Sequence, residues 1–118
     1  MSILEDAVTD LLGSTGLSIE AAMARHFTPA FRQRSNGAWE DYGSVQARLT
    51  RLRGNLDRMT FTVLDELSSG ERYAERHAVE LAMTDGSEVR LEVHVFAQRE
   101  PDGRFAWIEE SSFPLLAK

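Results

Sequence analysis

The chain has 118 residues, 42% of them apolar, which is enough for one domain with its own core and too much for a disordered chain. Without a cysteine there can be no disulfide, thiolate nucleophile or thiolate-held zinc, and the composition fits a reducing compartment. The net charge of −6 and a pI near 5.0 argue against the basic footprint of a nucleic-acid binder.

Met1 to Leu12 carries Glu5, Asp6 and Asp10 and no basic residue, so it does not read as a signal peptide. No apolar run approaches membrane-spanning length. The expected setting is cytoplasmic, away from membranes and nucleic acid.

Ser2 followed by Glu5 has the spacing of a capping box, and Ile3, Leu4, Ala7, Val8, Leu11 and Leu12 recur at helical spacing. They predict a first helix over residues 3–12, stopped by Gly13 and Gly16. Ser18 caps a second helix whose face carries Ile19, Ala22, Met23, His26 and Phe27, and Pro29 biases Thr28 away from helix. Phe31 to Arg34 reads as a short extended piece, and Asn36-Gly37 as a tight turn. Asp41 or Ser44 caps a third helix with Tyr42, Val45, Leu49 and Leu52 along one side, and Gly54-Asn55 ends it. The nearby Arg48, Arg51, Arg53 and Arg58 read as its solvated side.

From Met59 the period changes to two. Thr60 to Leu64, Arg72 to Met83, Glu88 to Gln98 and Arg104 to Phe113 predict four strands in a meander, with turns at Ser68-Ser69-Gly70, Asp85-Gly86 and Pro101-Asp102-Gly103. Helices followed by a meander give an α+β class in one domain spanning 1–118, its helices covering one face of an antiparallel sheet.

Reading Asp85-Gly86 as a two-residue turn places His77 opposite His94. A four-residue loop over Glu100 to Gly103 places Phe96 opposite Trp107 and His94 opposite Glu109. The expected row is therefore His77, His94 and Glu109, sharing a face with Trp107, Phe96, Phe105, Tyr73, Glu75 and Glu92. The opposite face carries Ala74, Ala78, Ala82, Val89, Leu91, Val93, Val95, Ala106 and Ile108, interrupted by Arg76, Glu80 and Glu110. Two substantially apolar faces imply cover on both sides, most simply from a second subunit, so a homodimer through the sheet face is expected.

The order of elements resembles the nuclear transport factor 2-like superfamily, which includes SnoaL-like polyketide cyclases and ketosteroid isomerase. The resemblance rests on the N-terminal helices, the segment His26-Phe27-Thr28-Pro29-Ala30-Phe31, the Asn36-Gly37 turn with its following helix, and the last strand, Asp102-Gly103-Arg104-Phe105-Ala106-Trp107-Ile108-Glu109. It implies a cystatin-like roll, a curved sheet wrapped on helices as a cone around a pocket. It also implies frequent dimers, and in some members isomerase, cyclase or dehydratase activity on hydrophobic small molecules. The strand-borne acid of ketosteroid isomerase has no counterpart near His94, and Tyr42 is only a candidate for its tyrosine. Steroid isomerase chemistry is thus not implied.

Two functional readings stand. In the first, the domain binds a small hydrophobic ligand and moves protons without a cofactor or metal. His94 is then the base, Glu109 its orienting partner, and His77 joins them as a catalytic residue. Trp107, Phe96, His26, Trp39 and Tyr42 line the ligand site. In the second, the domain is a non-catalytic dimer or protein-interaction module, and His77, His94 and Glu109 lie between subunits. Should the opposite face line the pocket, Glu110, Arg76 and Glu80 are the polar groups there.

Overall fold

A computed structural model describes residues 1–115 of the chain. Three short-side-chain caps start its three helices. Ser2 Oγ accepts from Glu5 N at 3.0 Å while Glu5 Oε1 accepts from Ser2 N at 3.4 Å, closing the expected capping box at the head of α1 (Ile3–Leu11). Ser18 Oγ accepts from Ala21 N at 3.1 Å and starts α2 (Ile19–His26). Asp41 Oδ1 accepts from Ser44 N at 2.9 Å and starts α3 (Tyr42–Asn55).

Strands β1 (Phe27–Ser35) and β2 (Ala38–Asp41) separate α2 from α3. Their turn places Asn36 at φ 48° and Gly37 at φ 91° with Ser35 opposite Ala38, a two-residue hairpin as Asn-Gly foretells. β1 starts at Phe27, earlier than the piece expected from the sequence, because the chain leaves the helix ahead of Pro29. The remaining strands are β3 (Leu56–Ser69), β4 (Arg72–Met83), β5 (Glu88–Arg99) and β6 (Phe105–Pro114).

All six strands form one curved, unclosed sheet in the order β2-β1-β6-β5-β4-β3. Every ladder is antiparallel except β1 on β6, which is parallel, so the sheet is mixed. The meander foresees the β3-to-β6 part; it does not foresee that an early strand returns to the last one. Register shifts in β3 and near Gln98–Arg99 bend the sheet around the helices.

The core lies between the helices and the concave face. Leu4, Ala7 and Leu11 of α1, Ala22 and Met23 of α2 and Val45 of α3 pack on Tyr73, Val79, Val93, Val95, Ala97, Phe105 and Ile108. Phe27 and Phe31 stack at 3.8 Å between centroids, and Phe105 meets Phe27 edge-on.

The two hairpins correct the expected registers. Met83 N donates to Ser87 O at 2.8 Å and Gly86 N to Met83 O at 3.0 Å, so the loop is the three residues Thr84-Asp85-Gly86 with Gly86 at φ 91°. The ladder slips by one residue against expectation. His77 lies opposite Val93, and His94 opposite Arg76. A one-residue slip sends every side chain of one strand to the other face.

The second hairpin repeats the device. Glu100 N donates to Arg104 O and Gly103, at φ 92°, donates to Glu100 O, both at 2.8 Å. With the irregularity at Gln98–Arg99, Phe96 lies opposite Glu109, Gln98 opposite Trp107 and His94 opposite Ser111. That offset is two residues, so the faces survive while the partners change.

Candidate functional site

On the concave face, Tyr73, Glu75, His77 and Val79 alternate inward along β4, and Val93, Val95 and Ala97 do so along β5. Three of these residues, Tyr73, Glu75 and His77, are ionisable, and all three are buried. His77 Nδ1 lies 2.8 Å from Glu75 Oε2, and the ring stacks on Phe61 at 4.1 Å between centroids. Glu75 Oε1 lies 3.0 Å from the Tyr73 hydroxyl, which is 2.5 Å from Glu66 Oε2 at the surface. A continuous polar track thus runs from Glu66 through Tyr73 and Glu75 to His77.

Burial alone would raise the Glu75 carboxyl. Hydrogen bonds from His77, Ser2 and Tyr73 and the charge of His77 more than offset it and hold Glu75 below its usual range. Burial, followed by the bond to Glu66 and the charge of Glu75, pushes the Tyr73 hydroxyl far up, so it stays protonated. Glu75 therefore serves as a fixed acceptor that orients the imidazole through Nδ1, with Nε2 outside that pair.

His77 lines a cavity of about 210 Å³ beneath the helices. Val79, Val93, Val95 and Ile108 form its sheet wall, Leu4, Val8 and Leu11 of α1 with Leu49 and Leu52 of α3 form its helix wall, and Met59 and Phe61 close one side. Three further polar residues reach it: Gln33 of β1, Arg48 of α3 and Glu110 of β6. Gln33 Nε2 donates to Ser35 Oγ at 3.2 Å, and Ser35 Oγ donates to Glu110 Oε1 at 3.1 Å. Arg48 Nε donates to both oxygens of Glu40 at 2.9 and 3.1 Å, while its Nη2 is buried without a hydrogen-bond partner among the described residues.

The expected row is therefore divided by the sheet. His77 is inside. His94 and Glu109 are on the convex side, where His94 Nε2 lies 2.7 Å from Glu92 Oε2 and the ring meets Phe113 edge-on. Glu109 faces Arg34 at 3.9 Å, and Arg72 lies over the Trp107 ring at 5.1 Å. Phe96 is 64% exposed on the same side. The physical reason is the one-residue slip at the first hairpin. Trp39 is also exposed, under the Arg32 guanidinium at 4.5 Å, whereas Tyr42 packs against the core.

His26 joins a different group. Its Nε2 lies 2.6 Å from Asp10 Oδ2, Thr15 Oγ1 donates to Asp10 Oδ1 at 2.5 Å, and Arg25 Nη1 approaches Oδ2 at 3.4 Å. Burial would raise Asp10, but the bonds from Thr15 and His26 and the charges of His26 and Arg25 hold it low. Asp6, Asp10 and His26 bring three donor atoms within 4.8 Å of one another. The Asp10 oxygens are already engaged by Thr15, His26 and Arg25, which makes the group a clamp between α1 and α2.

Of the residues at the cavity, Arg48 and Gln33 were the least visible in the sequence. Arg48 sits among other arginines and reads as solvated. Its signal was its place three residues after Val45 and four before Leu52, on the apolar stripe of α3. Glu110 was foreseen only as an alternative, should its face line the pocket.

No family model matches the sequence, and neither does any curated protein. Solved structures do match in shape. A nuclear transport factor 2-like protein of unknown function from Exiguobacterium sp. 255-15 superposes with a TM-score of 0.70 at 17% identity, covering 98% of this chain and 100% of that one. A Shewanella denitrificans protein, provisionally described as a SnoaL-like polyketide cyclase, gives a TM-score of 0.72 at 8% identity, covering 96% and 92%. A Catenulispora acidiphila protein with a ketosteroid isomerase-like fold, in complex with trimethylamine, gives 0.65 at 8% identity, covering 88% and 82%. The chain is therefore a nuclear transport factor 2-like fold, as the order of its elements implied.

Proposed function

We propose that the domain binds a small, largely apolar molecule in the concave cavity and moves a proton on it without a cofactor. This is the chemistry of a cofactor-independent isomerase, cyclase or dehydratase. The observation that carries the reading is His77. It is a buried imidazole oriented through Nδ1 by Glu75 at 2.8 Å and set in the wall of a largely apolar cavity. A carbon acid held against Nε2 would lose its proton to the ring, which becomes an imidazolium stabilised by Glu75, and would regain one at a second position. The likeness of the fold to cyclase-like and isomerase-like proteins supports this reading.

The test is proton–deuterium exchange at carbons next to the carbonyl in a panel of small hydrophobic ketones, followed by NMR in deuterated buffer. Wild-type protein is expected to speed exchange of at least one member, and His77→Gln to abolish the effect while a ligand still raises the Tm. Exchange no faster than in buffer across the panel, or unchanged exchange in His77→Gln, overturns the proposal.

A second reading is supported by a different observation. On the convex side Leu67 and Phe96, 70% and 64% exposed, line a shallow depression with Ala74 and His94. This apolar patch suits self-association through the sheet face, as in a dimeric structural or protein-interaction module. Asp65, Glu66 and Arg76 border it and Glu109 lies opposite Phe96, so the corrected register leaves a patch where a substantially apolar face was expected. The reading predicts a dimer by light scattering at micromolar concentration and a monomer for Phe96→Lys. A wild-type monomer sinks it.

A further inference from the structure

Arg48 holds a buried donor that the protein itself does not use. Its Nε is committed to both oxygens of Glu40, yet Nη2 is shielded from solvent and has no acceptor among the described residues. A buried N–H left without a partner is unfavourable, and a guanidinium donor more so. Such a group at a cavity wall marks where an acceptor belongs.

The surroundings define that acceptor. The charge of Arg48 is already balanced by Glu40, with Nε within 3.1 Å of both carboxylate oxygens. A second carboxylate, Glu110, lines the same cavity and accepts from Ser35. An anionic ligand would bring a further negative charge beside Glu110, with no lysine or second arginine among the described residues lining the cavity and with His77 already facing Glu75. A neutral oxygen acceptor takes the Arg48 hydrogen bond without that repulsion.

Size narrows the class further. A dry cavity of about 150 Å³ holds one benzene ring, and drug-sized ligands occupy roughly 300–1,000 Å³. At about 210 Å³ this cavity has room for one substituted ring. The walls beyond Arg48, Gln33, Glu110 and His77 are aliphatic or aromatic, so the body of the ligand is apolar.

Resting on the reading of the cavity as the ligand site, we infer that its occupant is an uncharged single-ring carbonyl compound whose oxygen accepts from Arg48 Nη2. Arg48 and His77 belong to α3 and β4, on different walls of the cavity. Holding the carbonyl oxygen on α3 leaves the rest of the ring free to lie toward His77. Arg48 is then a ligand-binding residue that also sets which carbon reaches the imidazole.

Three probes of nearly one shape test this. Acetophenone offers a neutral acceptor, α-methylstyrene replaces the carbonyl with a carbon–carbon double bond, and benzoate carries a charge. Binding to the full chain is followed by ligand-observed NMR. The expected result is acetophenone binding about 10-fold or more tightly than α-methylstyrene, in line with a hydrogen bond to a charged donor, with benzoate weaker than acetophenone. Arg48→Met should weaken acetophenone to the level of α-methylstyrene and leave the latter unchanged.

A measurement on the wild-type protein needs no variant: the carbonyl carbon of ¹³C-labelled acetophenone should move downfield on binding. Equal affinity for acetophenone and α-methylstyrene, benzoate binding tightest, or no downfield movement overturns the assignment of Arg48 while leaving the cavity as a ligand site. Failure of all three probes to bind wild-type protein overturns both.

Discussion

Glu75 faces two neighbours at once, the His77 ring and the Tyr73 hydroxyl, at 2.8 and 3.0 Å. Glu75→Ala would leave the buried imidazole nitrogen without its partner and cost roughly 1–3 kcal/mol, read as a lower urea midpoint. The carboxyls of Glu75 and Asp10 both titrate below their ordinary values of 4.5 and 3.8 in the folded chain. In that range the unfolded chain binds more protons than the folded one. Their stabilisation is therefore complete above those ordinary values and is lost as pH falls through the lower folded values. Urea midpoints between about pH 2 and 6 should fall on the acid side, and Glu75→Gln should flatten that fall; an unchanged acid limb would show that Glu75 is not a source of it. The sequence displayed both histidines and both carboxylates. It could not display their pairing, because Glu75 and His77 meet along one strand only through their rotamers, and Asp10 and His26 meet across two helices.

At the scale of elements, helix starts were legible because a cap is local: Ser2, Ser18 and Asp41 each act within three residues. Strand identities were legible from their period. Register was not, because Asp-Gly suits both the centre of a two-residue turn and the end of a three-residue loop. Only the second is compatible with Met83 facing Ser87. A clue was present. The expected register put apolar residues on both faces, whereas the observed one gathers Val79, Leu81, Leu91, Val93, Val95 and Ala97 on one. Gly86 and Gly103, at φ 91° and 92°, carry these loops, and Gly86→Ala is expected to cost about 1 kcal/mol by urea unfolding. The clamp of Asp10 with His26 joins two helices through side chains. A double-mutant cycle of Asp10→Asn and His26→Gln should show a coupling of roughly 0.5–3 kcal/mol, and strict additivity would show that the helices are held by packing alone.

Across the whole molecule, protection should follow burial. Amides of Val93, Val95 and Ile108 lie at the centre of the sheet, while β2 has four residues and Glu66 to Ser69 of β3 are exposed at its far edge. Hydrogen exchange is expected to be slowest in β5 and β6 and fastest in β2 and the end of β3; equal protection of β2 and β5 would contradict this order. The parallel ladder of β1 on β6 also sets a timetable. Phe27 pairs with Phe105 and Ser35 with Glu110, so an early strand finds its partner some 75 residues later. During synthesis, at roughly 5–20 residues per second, β1 and β2 must wait seconds before that partner exists. Closure of so long a loop comes late and slowly. The cavity, whose walls run from α1 to β6, is thus among the last features a newly made chain acquires, and a nascent chain has no such cavity until residue 110 is out.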